Sequence, residues 1–81
     1  MAITGKHIAA ARALLGISQT QLAEATGVAA HTILRFETNQ SEPRSATVEV
    51  LRRYLETRGI EFANSGAPGV RLWPDRVKTE G

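Results

Sequence analysis

The sequence predicts one mainly α-helical domain of four helices, followed by a small β-hairpin. Up to Gly59, apolar residues recur at spacings of three and four, and glycine or proline residues interrupt this pattern. From Ile60 onward, apolar and polar residues alternate, which is typical of strands. A chain of 81 residues can bury one modest core and has no room for a second.

The composition excludes several classes of protein. With no cysteine in the chain, disulfides and thiolate metal sites are excluded. The net charge is only +2, although eight of the ten basic residues are arginine, the side chain best suited to bidentate contacts with phosphate or guanine. No stretch has the length or apolarity of a membrane span or an export signal. We therefore expect a cytoplasmic protein without membrane contact.

The first helix is predicted to run from Thr4 to about Leu15. Thr4 can accept a hydrogen bond from a free amide of the first turn, and Gly16 can end the helix in the left-handed conformation. Three apolar residues at helical spacing form the expected buried side, namely Ile8, Ala11 and Leu15.

Residues 18–37 are predicted to form two short helices joined by a tight turn. Ser18 and Gln21 have the spacing of a capping box, which begins a helix. Gly27 allows the chain to reverse within three or four residues. The apolar contacts between the two helices are expected from Leu22, Ala23, Val28 and Ile33. This arrangement is a helix-turn-helix.

The second helix of this motif has one apolar side and one exposed side. Ile33 and Phe36 are expected to face the core at i, i+3 spacing. The remaining side chains lie on the outer side, namely Ala30, His31, Thr32, Leu34 and Arg35. An exposed helix face of this kind indicates a binding partner.

A polar loop over residues 38–44 is predicted to lead into the fourth helix. Pro43 lacks the amide that a helix interior requires. Ser45 is expected to cap the fourth helix, which ends near Arg58 with Gly59 as its stop. Its core side comprises Val48, Leu51 and Leu55, and Val50 and Tyr54 form a second apolar stripe. Either a partner or the carboxy-terminal segment would cover that stripe.

Residues 60–73 read as a β-hairpin, and residues 74–81 as a flexible tail. An isolated two-stranded hairpin is marginal in water, so it must pack on the helices, pair with another copy, or do both. We favour pairing between copies, which makes the hairpin a dimerisation element. The expected interface comprises Val50, Tyr54, Ile60, Phe62, Val70, Leu72 and Trp73.

The sequence shows no residue set that is typical of an enzyme. There is no nucleophile with a nearby base, no metal cluster and no phosphate-binding glycine loop. His7 and His31 lie on different predicted helices, with no carboxylate at ligand spacing. We therefore expect no catalytic residues, no metal, no cofactor and no small-molecule ligand.

Residues 8–55 closely resemble the DNA-binding domains of the Cro and phage-repressor superfamily, the Xre-like regulators. The resemblance depends on the glutamine at the start of the first motif helix and on the small, turn, core and acidic positions, which are Gln19, Ala23, Gly27, Val28, Ile33 and Glu37. It implies a lambda-repressor-like four-helix DNA-binding domain over residues 1–59. It also implies that the second motif helix enters the major groove.

The resemblance assigns roles to further residues. Arg12 would form an ion pair with Glu37. Phosphate contacts are expected from the start of the first motif helix and from the loop that the family places over the DNA backbone. The residues are Ser18 and Gln19 in the first group, and Thr38, Asn39, Gln40 and Arg44 in the second. The expected base contacts are Arg35 first, then His31 and Thr32, with Ala30 near a thymine methyl.

These expectations describe a small, nucleoid-associated transcriptional regulator of the repressor or controller type. It would bind a double-stranded DNA operator with an inverted repeat, as a homodimer. The alternative is an antitoxin or antiactivator that uses the same scaffold to hold a partner protein. The outer side of the second motif helix is not acidic and includes His31 and Arg35, which favours DNA.

Overall fold

A computed structural model describes residues 3–63 and 69–76. It confirms a mainly α-helical fold with a small antiparallel hairpin, consistent with a lambda-repressor-like domain. In chain order the elements are α1 Gly5–Leu15, α2 Gln19–Thr26, α3 Ala30–Glu37, α4 Ser45–Thr57, β1 Ile60–Ala63 and β2 Gly69–Leu72, followed by a 3-10 turn at Pro74–Arg76.

The ends of α1 and α2 follow the predicted chemistry. The Ser18 hydroxyl accepts from the Gln21 amide at 3.0 Å, while the Gln21 side chain accepts from the Ser18 amide at 2.8 Å. Thr4 caps α1 in the same way: its hydroxyl accepts from the His7 amide, and the His7 side chain accepts from the Thr4 amide. Gly16 ends α1 in the left-handed conformation, at φ 70°. Both helices therefore begin and end through contacts within a few residues of the chain.

The prediction that Ser45 caps α4 was wrong. Ser45 is the first residue of the helix, and Arg44 occupies the cap position without a side-chain hydrogen bond to the helix amides. The carbonyl of Arg44 accepts the first helical bonds, from Thr47 at 2.9 Å and Val48 at 3.1 Å. The backbone thus enters the helix one residue earlier than a Ser45 cap requires.

All four helices and the hairpin contribute to one core. Its buried apolar side chains are Ile8, Ala11, Leu22, Ile33, Phe36, Leu51, Leu55, Ile60 and Phe62. Leu15 and Val48 were also predicted to face this core, and they pack against it while remaining half-buried.

The hairpin packs on the helices of its own chain, against α1 and α4. Its register pairs Ile60 with Leu72 and Phe62 with Val70. Ile60 and Phe62 lie on one side of β1, as the alternation predicts, and that side is buried. Residues 64–68, between the two strands in the chain, and part of the predicted flexible tail, 77–81, lie outside the described residues.

The exposed side of α4 has a group of intrahelical ion pairs. Arg52 pairs with Glu49 and with Glu56, and Arg53 also pairs with Glu49. The hydrogen bonds from Arg52 and Arg53 lower the pKa of Glu49. Because these side chains lie in solvent, the pairs contribute little to stability.

Candidate nucleic-acid interface

A three-residue turn fixes α3 against α2. Gly27 has φ 78°, and its amide donates to the Ala23 carbonyl at 2.8 Å. The Thr26 hydroxyl donates to the Leu22 carbonyl at 2.8 Å and accepts from the Val28 amide at 3.3 Å. Hydrogen bonds among residues 22–28 therefore fix the end of α2 and the start of the turn.

The two sides of α3 differ in burial as the sequence predicts. Ile33 and Phe36 are 0% and 6% exposed and face the core. His31, Leu34 and Arg35 are exposed on the opposite side. Ala30 and Thr32, two of the expected base contacts, are half-buried at the margins of that side. The structure thus brings the four expected base-contacting residues onto one short helix.

The predicted ion pair between Arg12 and Glu37 is present and links α1 to the end of α3. The Nε and Nη2 atoms of Arg12 donate to the two carboxylate oxygens of Glu37, both at 2.7 Å. The Glu37 side chain is only 5% exposed, and that of Arg12 is 20% exposed. Hydrogen bonding to Glu37 raises the pKa of Arg12. This bidentate geometry in a mostly buried site makes the pair strong and specific.

Gln19 joins the same carboxylate from the start of α2. Its Nε2 atom donates to Glu37 Oε1 at 3.0 Å. A glutamine amide has two hydrogens, so one remains to donate elsewhere. The Glu37 carboxylate therefore connects α1, α2 and α3. The Gln19 side chain, which is expected to contact a phosphate, is already fixed by this hydrogen bond.

The loop after α3 is tied back to that helix. The Thr38 hydroxyl donates to the Leu34 carbonyl at 2.8 Å, and the Gln40 amide donates to the Arg35 carbonyl at 2.7 Å. Asn39 adopts the left-handed conformation, with φ 62°. All the other expected phosphate-contacting residues are exposed, namely Ser18, Thr38, Asn39, Gln40 and Arg44. These donors flank α3 on both sides in the chain.

Sequence reasoning missed Gly5, which sets the distance between α1 and α3. A Cβ atom placed on Gly5 would lie 1.9 Å from the Phe36 carbonyl oxygen and 2.8 Å from the Glu37 Cα. The start of α1 therefore contacts the backbone at the end of α3 directly. The only available signal was a glycine at the first helical position, where its low helix propensity is unfavourable.

His7 is a structural residue of α1. It is 4% exposed, and its Nδ1 atom accepts from the Thr4 amide at 3.0 Å. Its ring packs edge-on against Phe62, with 6.1 Å between the ring centroids. Among the residues that the structure describes, no group of three or more histidine, cysteine or acidic side chains could hold a metal ion.

The residues expected at a dimer interface divide into two groups. Ile60 and Phe62 are 4% and 8% exposed and belong to the core of their own chain. Four more are half-buried, namely Tyr54, Val70, Leu72 and Trp73. Val50 is 43% exposed on α4. The apolar side of β1 is thus covered by the helices, and the accessible part of the expected interface is divided between α4 and the second strand of the hairpin.

A comparison with protein-family models finds a match to this chain. The matching model is described as Helix-turn-helix and matches residues 8–62, which is more than half of the chain and runs from the first turn of α1 to Phe62 in β1. No curated protein matches the sequence. No helix in the described ranges has the length and apolarity needed to cross a membrane.

Proposed function

We propose, because the chain belongs to the Cro/C1-type helix-turn-helix family of Xre-like regulators, that it is a sequence-specific transcriptional regulator that binds double-stranded DNA as a homodimer. The main support is the exposed side of α3, which includes His31 and Arg35. The only acidic residue of α3 is Glu37, and its carboxylate is held by Arg12. A helix side that carries the positive charge of Arg35, and whose one carboxylate is already paired, is suited to the negatively charged DNA.

In the proposed complex, α3 lies in the major groove and reads the bases. Arg35 spans O6 and N7 of a guanine, the commonest specific contact in this groove. His31 donates to a base acceptor or a phosphate, and Thr32 bonds a base edge or packs its methyl group on a thymine. Ala30 contacts a thymine methyl. Because alanine occupies position 30, few hydrogen bonds to bases come from the start of the helix.

The residues on either side of α3 hold the phosphates. Gln19 donates its remaining amide hydrogen, and the start of α2 adds free backbone amides next to Ser18. On the other side, phosphates are bound by Asn39, Gln40 and Arg44, and by Thr38 once its hydroxyl turns away from the Leu34 carbonyl. These contacts fix the register of α3 on the duplex and do not depend on the base sequence.

A homodimer would double the short site that one copy can read. Two copies related by a two-fold axis place their recognition helices about 34 Å apart, which matches successive major grooves of an inverted repeat. Val50 and the half-buried Tyr54 form the apolar stripe of α4 that such a contact would cover. Three half-buried residues of the hairpin segment would extend it, namely Val70, Leu72 and Trp73.

Selection of bound duplexes from a random pool at about 150 mM salt tests the proposed function, since purely electrostatic binding is already weak there. We expect an enriched inverted repeat with half-site centres about 10 base pairs apart. Binding to this operator should weaken steeply as salt rises. A pool without an enriched sequence would overturn the proposal and favour a protein partner.

Two substitutions should separate base reading from phosphate binding. Arg35→Ala should relax the preference at one base pair of each half-site, by about 1 to 3 kcal/mol. Gln19→Ala should weaken the operator and unrelated DNA by the same factor, because its phosphate contact is independent of sequence. Titration of both variants against the operator and its single-base variants measures the two effects. Equal loss of discrimination in both variants would contradict these roles.

Val50→Glu should dissociate the dimer, because it places a charge in the apolar stripe that the proposed contact would bury. Sedimentation equilibrium at micromolar concentration should show a dimer for the parent and a monomer for this variant. Leu14→Glu is the matched control, because Leu14 is similarly exposed, at 47%, but lies on α1. A monomeric parent would exclude the dimer. Dissociation by Leu14→Glu alone would place the contact between copies on α1 instead of α4.

A further inference from the structure

Leu34 has an exposed apolar side chain at the centre of the side of α3 that is proposed to face DNA. It is 42% exposed and lies outside the core. His31 precedes it by three residues and Thr38 follows it by four, so all three share one side of the helix. Arg35 is its immediate neighbour. His31 and Arg35, which can donate hydrogen bonds, therefore lie beside an apolar side chain, whereas the Thr38 hydroxyl already donates to the Leu34 carbonyl.

A single exposed leucine on a protein surface is ordinary. Here, however, the neighbouring position that shares its side of α3 is also apolar, because Ala30 lies four residues before Leu34. The two side chains form a short apolar strip beside His31 and Arg35. On DNA, this strip would meet whatever apolar groups the floor of the groove offers.

We infer that Leu34 is a specificity-determining residue that packs against the C5-methyl group of a thymine. The inference rests on the proposed function, since it requires α3 to lie in the major groove. In that groove the thymine methyl is the one apolar group on the base edges. A leucine side chain reaches farther from the helix axis than Ala30 does, so it supplies the apolar contact that the small side chain at the start of α3 provides only weakly.

An apolar side chain at position 34 also disfavours the other bases. A leucine offers a cytosine or adenine edge no hydrogen bond, and those edges would lose water without a replacement partner. A thymine methyl loses nothing when it is covered. Leu34 therefore selects thymine both by contact with its methyl group and by the desolvation of the alternatives.

The test uses the operator obtained by selection, with each thymine replaced in turn by deoxyuridine in both half-sites. Deoxyuridine keeps the hydrogen-bonding groups of thymine and lacks only the methyl group. Affinities are measured for the full-length parent, for Leu34→Ala and for Leu14→Ala. The last is a matched control, because Leu14 is an equally ordinary exposed leucine, 47% exposed, on α1. Thermal melting of each variant checks that folding is intact, which the exposure of both leucines favours.

For the parent, deoxyuridine at one thymine should weaken binding about four-fold for each half-site, the effect of burying one carbon group. Leu34→Ala should bind the unmodified operator more weakly and show no further loss at that thymine. Leu14→Ala should respond as the parent does. A selected operator whose thymines all respond equally in the parent and in Leu34→Ala would overturn the inference while leaving the proposed function intact. Failure to select any operator would overturn both.

Discussion

Replacing Gly5 by alanine should lower the free energy of unfolding by about 3 kcal/mol or more, which for a domain of this size corresponds to a fall in melting temperature of roughly 12 °C or more. The added Cβ would lie 1.9 Å from the carbonyl oxygen of Phe36 and 2.5 Å from its carbonyl carbon. Both atoms belong to the backbone, so no side-chain rotation removes the overlap. The start of α1 and the end of α3 must therefore separate.

Gly69→Ala is the matched control for this substitution. A Cβ on Gly69 would meet no atom within 4 Å. The control should melt within about 0.5 kcal/mol of the parent, as surface substitutions usually do. Gly5→Ala should also weaken operator binding, because the separation displaces the end of α3 next to Glu37. A Gly5→Ala variant that melts like Gly69→Ala would contradict the close contact between the two helices.

Arg12→Met should cost about 3 to 5 kcal/mol of stability, since it leaves a mostly buried carboxylate without its partner. The Glu37 side chain is only 5% exposed, and it loses two hydrogen bonds of 2.7 Å. Methionine keeps the apolar stem of the arginine, so the measured loss reports the charge and its hydrogen bonds. Chemical denaturation of the purified variant measures the difference.

Two further variants make this prediction specific. Arg53→Met removes an ion pair with Glu49 in which the arginine side chain is 75% exposed, and it should leave the stability close to that of the parent. The double variant Arg12→Met with Glu37→Gln should be more stable than Arg12→Met alone, because a neutral amide replaces the stranded charge. If the double variant recovers nothing, the loss comes from packing or from the hydrogen bond that Arg12 Nη1 donates to the Ile17 carbonyl at 3.0 Å, and not from the charge.

The features that were predictable from the sequence depend on residues close together in the chain. The capping box of Ser18 and Gln21 and the left-handed Gly27 are local geometries, and the structure has both. The burial of Ile33 and Phe36 follows from helical spacing alone. The spacing of Ile33 and Phe36 also determines which side of α3 faces away from the core, so the exposed side of α3 was predictable as well.

Two of the missed features depend on contacts between distant parts of the chain, and a third, the cap of α4, depends on the local path of the backbone. Nothing near Gly5 in the sequence shows that it meets the backbone of Phe36. Ile60 and Phe62 have the alternation of a half-buried strand, but alternation does not tell whether α1 and α4 of the same chain or a second copy covers them. Ser45 is a good capping residue type, and only the backbone path after Pro43 shows that Arg44 takes that position.

The shared carboxylate of Glu37 has a consequence for the thermodynamics of association. A long polar side chain that becomes fixed on binding typically loses about 0.5 to 1.5 kcal/mol of rotamer entropy. Gln19 has already lost much of that freedom in the unbound protein, because its amide is bonded to Glu37 at 3.0 Å. This side chain becomes ordered when the protein folds. Its contact with DNA should therefore form with a smaller loss of entropy than the contact of a freely rotating glutamine.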